Sequence, residues 1–225
     1  MSFLDSRFSA ETQGNGLSII MEELRASLRQ ISPGQLAANT NTTYQESAAG
    51  EGEFGLAYFD GPIRLTFPAL AAVGQKGNEL PVPVQAILLY YFQTSDGSPL
   101  TGKRVSFGNL PGGRIYERAF QGYSGDKLCG LLGNDLDRFK AVCAAAGGQE
   151  ENGGDACFRF SALPRLPIYA GYWLGEDEFP SSCKILFDAC ACSHLPIDVC
   201  AILGKMLVSR IIKASATIQN RVVGS

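Results

Sequence analysis

The segment Gly175–Cys200, GEDEFPSSCKILFDACACSHLPIDVC, holds Cys183, Cys190, Cys192 and Cys200 together with His194, the one histidine of the chain. It also carries the run Glu176-Asp177-Glu178 and, further on, Asp188. Thiolate, imidazole and carboxylate are the ligand types of zinc, iron and cobalt, so a metal centre is the first chemistry to weigh. The cysteines are spaced C-x6-C-x-C-x7-C, which matches no common zinc or iron–sulfur pattern. If Cys190 and Cys192 lie on one strand, they share a face at roughly 6.6 Å, and their thiolates can lean onto one ion. On the same strand His194 would stand roughly 13 Å from Cys190, too far to share a metal bonded at about 2.0–2.3 Å. Either the chain turns after Cys192 or Cys-x-Cys-x-His is not one chelate. The competing expectation, preferred here, is that these thiols fill a core as small apolar groups, as Cys143 and Cys200 do on the buried stripes of two expected helices.

The acidic run could hold a divalent cation with Asp188 or Asp155, since hard ions want several oxygen ligands. As a turn between two strands it is more simply a solvated charge run, with Phe179-Pro180 expected to anchor it by packing down. Ser181 and Ser182 lie near His194 in sequence, but no G-x-S-x-G elbow surrounds them, and no nucleophile–base pair can be assembled. The glycine-rich GNLPGG at 108–113 lacks the spacing and lysine of a phosphate loop and reads as a turn. In LPRLPIYAGYWL, Tyr169, Gly171 and Trp173 share one strand face, with Ile168, Ala170 and Tyr172 on the other. Gly171 between two large rings leaves a shallow gap that could accept a flat ligand or a close backbone. A strand buried on both faces is the plainer expectation.

The elements that must position these groups are mixed in order. Leu17, Ile20, Met21, Leu24, Leu28 and Ile31 recur at helical spacing, which predicts a helix over 16–32 ended by Ser32-Pro33-Gly34. Residues 39–52 read as a loop, and EFGLAYFDGPIRLTF as a hairpin turning on Asp60-Gly61. PVPVQAILLYYFQTSDG follows as a helix, with Val84, Ile87, Leu88, Tyr91 and Phe92 on one face. GKRVSFGNLPGGRIYERAF predicts two short strands around a Gly/Pro turn. A helix, or two broken near Gly133, covers 125–146. Strands are expected at Ala156–Leu163, Leu166–Leu174 and Cys183–Ala189, before a long C-terminal helix with Ile197, Cys200, Gly204, Leu207, Val208 and Ile211 on its stripe. With no repeat, no linker and no regular βαβ rhythm, this is one α+β domain over 1–225, with a mostly antiparallel or mixed sheet and packed helices.

A net charge of -3 with no Lys/Arg cluster argues against a nucleic-acid partner, because phosphate neutralisation needs concentrated positive charge. The strongest apolar run, Ala86–Phe92, is far below the roughly 20 residues that span a bilayer, so no membrane partner is expected. The N-terminal stretch has no apolar h-region and does not read as a signal peptide. The expected location is therefore the cytoplasm, where the seven cysteines stay reduced as thiols or ligands.

The stretch from Gly154-Asp155 through Leu163–Pro167, Trp173 with Asp177–Pro180, Leu186–Asp188 and Leu195–Asp198 resembles the uncharacterised bacterial and archaeal family DUF3786. Upstream PLTGKRVSFGNLPGGRIYERAF joins the pattern, so that the similar region runs over about 53–215. The family has no established activity. Some relatives carry an added cysteine-rich iron–sulfur module and occur in anaerobes with corrinoid metabolism, so the resemblance implies a cofactor-linked role. The cysteines near the C-terminus of this chain lie outside the shared pattern.

Together these readings predict a binding protein rather than an enzyme, with a pocket for a small molecule or cofactor such as a corrinoid or other flat tetrapyrrole. Tyr169 and Trp173 would supply flat surface, Asp177, Glu178 and Asp188 oriented polar groups, and His194 an axial metal ligand. A second expectation is a metal-binding or redox protein, iron–sulfur or zinc, using Cys190 and Cys192 with Cys183 or Cys200. A third is an interaction scaffold with a protein partner.

Overall fold

The computed structural model describes residues 14–48 and 50–223. Residues 1–13, where an export signal was sought in the sequence, lie outside the described residues. Helix α1 (Gly14–Leu28) buries Met21 and Leu28 and rests Leu17 and Leu24 on the core. It stops before the expected boundary, because Ser32 starts a second helix instead of only ending the first. The Ser32 hydroxyl accepts from the Gln35 N–H, Pro33 takes the first turn, and α2 (Pro33–Thr40) ends at Asn41 with φ 54°. Serine cap, early proline and left-handed asparagine are the ordinary start and stop of a helix.

A four-stranded antiparallel sheet follows in the order β1-β2-β3-β4, from β1 (Thr43–Ala48), β2 (Glu51–Tyr58), β3 (Gly61–Phe67) and β4 (Ala72–Gly74). The expected loop at 39–52 is corrected here. Its polar TYQESA is a largely exposed edge strand, whose hydrogen bonds to β2 do not depend on an apolar face. The β2–β3 turn is also displaced by one residue. Tyr58 pairs with Gly61, and Phe59 and Asp60 take φ of 46° and 61°, as a two-residue hairpin turn requires at both central positions. Phe59 is buried and its N–H bonds the Ala162 carbonyl at 3.2 Å, so tertiary packing holds the aromatic residue in the turn.

Helix α3 (Val82–Thr94) has no polar face through its middle: Gln85 to Leu89 are all buried. It is a core helix, wider in its contacts than a one-sided stripe implies. The segment after it gives one strand, β5 (Arg104–Ser106), and not two. Beyond Ser106 the chain makes tight turns at 107–109 and 114–116, then enters α4 (Glu117–Tyr123). Gly113 lies against the Phe107 carbonyl with no room for a side chain, and the Phe107 ring stacks on Phe120 at 4.3 Å. That close approach folds the segment back where an extended strand was expected.

Helices α5 (Gly125–Leu132) and α6 (Leu136–Ala145) break at Gly133. Then β6 (Gln149–Glu151), β7 (Ala156–Leu163), β8 (Leu166–Trp173) and β9 (Ser182–Asp188) join β5 in a five-stranded antiparallel sheet of order β5-β9-β8-β7-β6. The long helix α7 (Ile197–Val223) closes the fold. Strand register sorts the sheet into two faces. Phe158, Phe160, Ile168, Ala170, Tyr172, Cys183, Ile185 and Phe187 are buried on one face. The other carries Cys157, Arg159, Tyr169, Gly171, Trp173, Lys184, Leu186 and Asp188. The chain is thus an α+β domain with two antiparallel sheets and a long C-terminal helix.

Candidate functional site

The second sheet face carries the aromatic pair Tyr169 and Trp173. The gap at Gly171 is filled from within: a Cβ there would stand 2.9 Å from the Trp173 ring, so the indole lies across the glycine. The Lys184 ammonium sits 5.9 Å from the ring centre of Trp173, and the Arg104 guanidinium 5.3 Å from that of Tyr169. Arg104 also reaches the Cys157 thiol at 3.2 Å. Tyr169 is buried, and burial raises its hydroxyl above its ordinary range. The flat slot expected between the two rings is therefore closed by protein groups, and the two rings act as platforms for cationic side chains.

Asp188 is committed elsewhere. Its Oδ1 accepts from the Thr101 N–H at 3.1 Å, the Thr101 hydroxyl at 2.7 Å and the Cys190 N–H at 3.0 Å, and Oδ2 accepts from the Gly102 N–H at 2.8 Å. Burial pushes its carboxyl up, but the bonds from Thr101 and Cys190 outweigh it and hold it down at about 2. It pins the 101–102 loop to the end of β9. His194 has no exposed surface; its Nε2 meets the Ser98 carbonyl at 3.0 Å and its ring faces Tyr91. Its Nδ1 is buried without a hydrogen-bond partner, and burial lowers its pKa. An axial ligand must present its nitrogen to an open space, and this imidazole is sealed inside the core, so His194 does not fit a bound tetrapyrrole here.

The four C-terminal cysteines separate. The strand ends at Asp188, close to its expected end, so Cys190 and Cys192 do not share a strand face, and Cys192 lies in a short 3-10 turn at 191–193. Cys183 faces back from β9 and meets Cys129 of α5 with sulfurs 3.1 Å apart. Cys192 pairs with Cys200, which lowers the Cys192 pKa and raises that of Cys200. Burial and the Asp188 carboxylate push Cys190 up to about 11, so it is a protonated thiol near neutrality. Among the described residues, no group of three or more His, Cys, Asp or Glu is placed to hold one ion. The four-cysteine zinc or cluster site does not assemble from these residues.

The β8–β9 connection, by contrast, builds a cavity. The backbone N–H of Gly175 donates to Asn134 Oδ1 at 2.8 Å, and Asn134 Nδ2 donates back to the Gly175 carbonyl at 3.2 Å. The Gly133 carbonyl accepts from the Tyr172 hydroxyl at 2.6 Å and the Ser181 hydroxyl at 3.0 Å. Gly133 takes φ 63°, ψ -144°, a region only glycine occupies without strain. The α5–α6 corner thus clamps both ends of the loop. A side chain at Gly175 would strike the Ser181 nitrogen and the Phe179 carbonyl, so glycine lets the loop close on itself. The result is an open cup of about 510 Å³ lined by Asn134, Gly175–Pro180 and Ser181. Glu176, Asp177 and Glu178 stand at its wall, and no lining residue is a cation.

Phe179 does not anchor the turn, as its sequence position suggested: it is 71% exposed. The Asn134 clamp and the Phe179 N–H bond to the Glu176 carbonyl at 2.9 Å do that work, which frees the ring for the cup. Of the expected site residues, the structure brings Asp177 and Glu178 together in the cup. Trp173 precedes it by one exposed residue, Leu174, while Tyr169, Asp188 and His194 lie elsewhere. In sequence Gly133 marked only a possible break between two helices, and Gly-Asn after a helix is a usual stop signal.

The motif elements traced in sequence now have places. Asp155 Oδ2 accepts from the Leu174 N–H at 2.7 Å, which holds the Gly154-Asp155 turn against the end of β8. The family described as a domain of unknown function, DUF3786, matches residues 32–210. The chain belongs to the DUF3786 family. No curated protein and no solved structure matches it. The match takes in the cup, both sheets and about the first half of α7, and it begins at α2 rather than at β2, where the resemblance begins. No helix among the described residues of this DUF3786 chain is long and apolar enough to cross a membrane.

Proposed function

We propose that this DUF3786 chain is a non-catalytic small-molecule-binding protein, and that the cup between the α5–α6 corner and the β8–β9 loop takes a small organic cation. The observation that carries the reading is the shared lining of three carboxylates and an exposed aromatic ring in one cavity of about 510 Å³. That volume falls within the range of ligand pockets. An ammonium group gains from the face of Phe179 and from the carboxylates at once. A bare divalent ion is less suited, because Glu176, Asp177 and Glu178 do not converge on a point.

A corrinoid is the less supported ligand, since the sealed His194 and the covered Gly171 supply neither an axial nitrogen nor a flat slot. Spermidine is a suitable probe, and the single tryptophan, Trp173, gives a fluorescence signal two residues from Gly175. Saturable binding is expected, weakened at least tenfold by the double change Asp177→Asn and Glu178→Gln and several-fold by Phe179→Ala. Binding that is unchanged in all of these variants contradicts the proposal. A parallel titration with cobalamin that gives a spectral shift lost in His194→Ala replaces it with the corrinoid reading.

A further inference from the structure

Behind the cup lies a thiol pair with a distinct chemistry. Cys129 stands on α5, near the end that turns into the Gly133-Asn134 clamp, and Cys183 is the second residue of β9, just past the cup loop. Their sulfurs are 3.1 Å apart, inside van der Waals contact, and Cys129 also reaches the Ser181 carbonyl at 3.4 Å. A disulfide bond is about 2.05 Å long, so the two sulfurs need to close by only about 1 Å. Cys129 is partly exposed, whereas Cys183 is buried. Burial and the neighbouring Cys129 raise the Cys183 pKa, so it stays a thiol until its partner is engaged. One accessible sulfur backed by one buried sulfur is the arrangement of an attacking and a resolving cysteine.

We infer that Cys129 and Cys183 form a thiol–disulfide exchange site that accepts small-molecule disulfides such as glutathione disulfide and cross-links α5 to β9. The Cys129 thiolate attacks one sulfur of the small disulfide, forming a mixed disulfide and releasing one thiol. Cys183 then gives up its proton and attacks the Cys129 sulfur, which releases the second thiol and leaves the Cys129–Cys183 bond. The protein pair is oxidised by two electrons and the small disulfide is reduced to two thiols. Because Cys129 no longer donates to the Ser181 carbonyl after this step, the product alters one tie at the base of the cup loop. The inference rests on the sulfur geometry and on the exposure of Cys129 beside buried Cys183, and does not depend on what the cup binds.

The test is incubation of the reduced full-length chain in glutathione disulfide, followed by alkylation of remaining thiols and peptide mass mapping. Before alkylation the expected product is 2 Da lighter than the reduced chain; after alkylation it carries two fewer alkyl groups and yields one linked peptide containing Cys129 and Cys183. Cys129→Ser should abolish that linked peptide, and Cys192→Ser should leave it unchanged, each variant being checked for a native circular dichroism spectrum. A stable glutathione adduct on Cys129 without the internal bond overturns the inference. So does a linked peptide joining Cys192 to Cys200 in its place, or full alkylation of both thiols after exposure.

Discussion

Asp188 accepts four hydrogen bonds from Thr101, Gly102 and Cys190, so Asp188→Asn should lower unfolding stability by about 2–3 kcal/mol in a denaturant titration. Its folded pKa, about 2, is below that of the unfolded chain. Its contribution is therefore present above about pH 4 and fades as pH falls toward 2. The variant should lose that part of the acid dependence. His194 acts at milder acidity with the same sign. Burial lowers its folded pKa, so the unfolded chain binds the proton first and stability declines as pH falls below about 6.5. Denaturant midpoints measured from pH 7.5 to 5 should fall in the wild type and stay flatter in His194→Phe.

At the level of elements, the sheet strands β7, β8 and β9 were legible because apolar and polar residues alternate along them or run continuously where both faces are covered. The long α7 helix was legible from its stripe. The polar edge strand β1 was not, since Thr43, Gln45 and Glu46 carry no pattern that separates an edge strand from a loop. The 107–116 segment has strand-like residues, but Gly113 and the Phe107–Phe120 stack fold it back, and that contact joins residues distant from the local window. Likewise Cys129 and Cys183 are 54 residues apart, and spacing along the chain could not pair them. Two changes test the elements around the cup. Gly171→Ala must push the indole off the strand, and should shift Trp173 emission to longer wavelength while the fold is kept. Asn134→Ala removes both clamp bonds and should speed proteolysis within 174–181, with a loss of about 1–2 kcal/mol in global stability. If the Cys129–Cys183 bond forms, the closed loop should raise stability by about 4 kcal/mol, read as a higher denaturant midpoint for oxidised than for reduced protein.

Across the whole molecule, the two sheets, the buried α3 helix and α7 make a frame from which the β8–β9 loop projects. The frame fixes the loop at both ends through Gly133 and Asn134 and leaves its carboxylates and Phe179 facing outward. Function was less legible than fold for this reason. The acidic run was visible in sequence, but its cup depends on a helix corner some 40 residues earlier. The cysteines drew attention by their density, and folding separates them: Cys183 meets Cys129, Cys192 lies by Cys200, and Cys190 lies by Asp188. Hydrogen–deuterium exchange with and without spermidine tests the cup most directly. The account predicts slower exchange confined to the α5–α6 corner around Asn134 and to residues 174–181. Protection centred instead on the Tyr169 face or around His194, or no change at saturating spermidine, would contradict it.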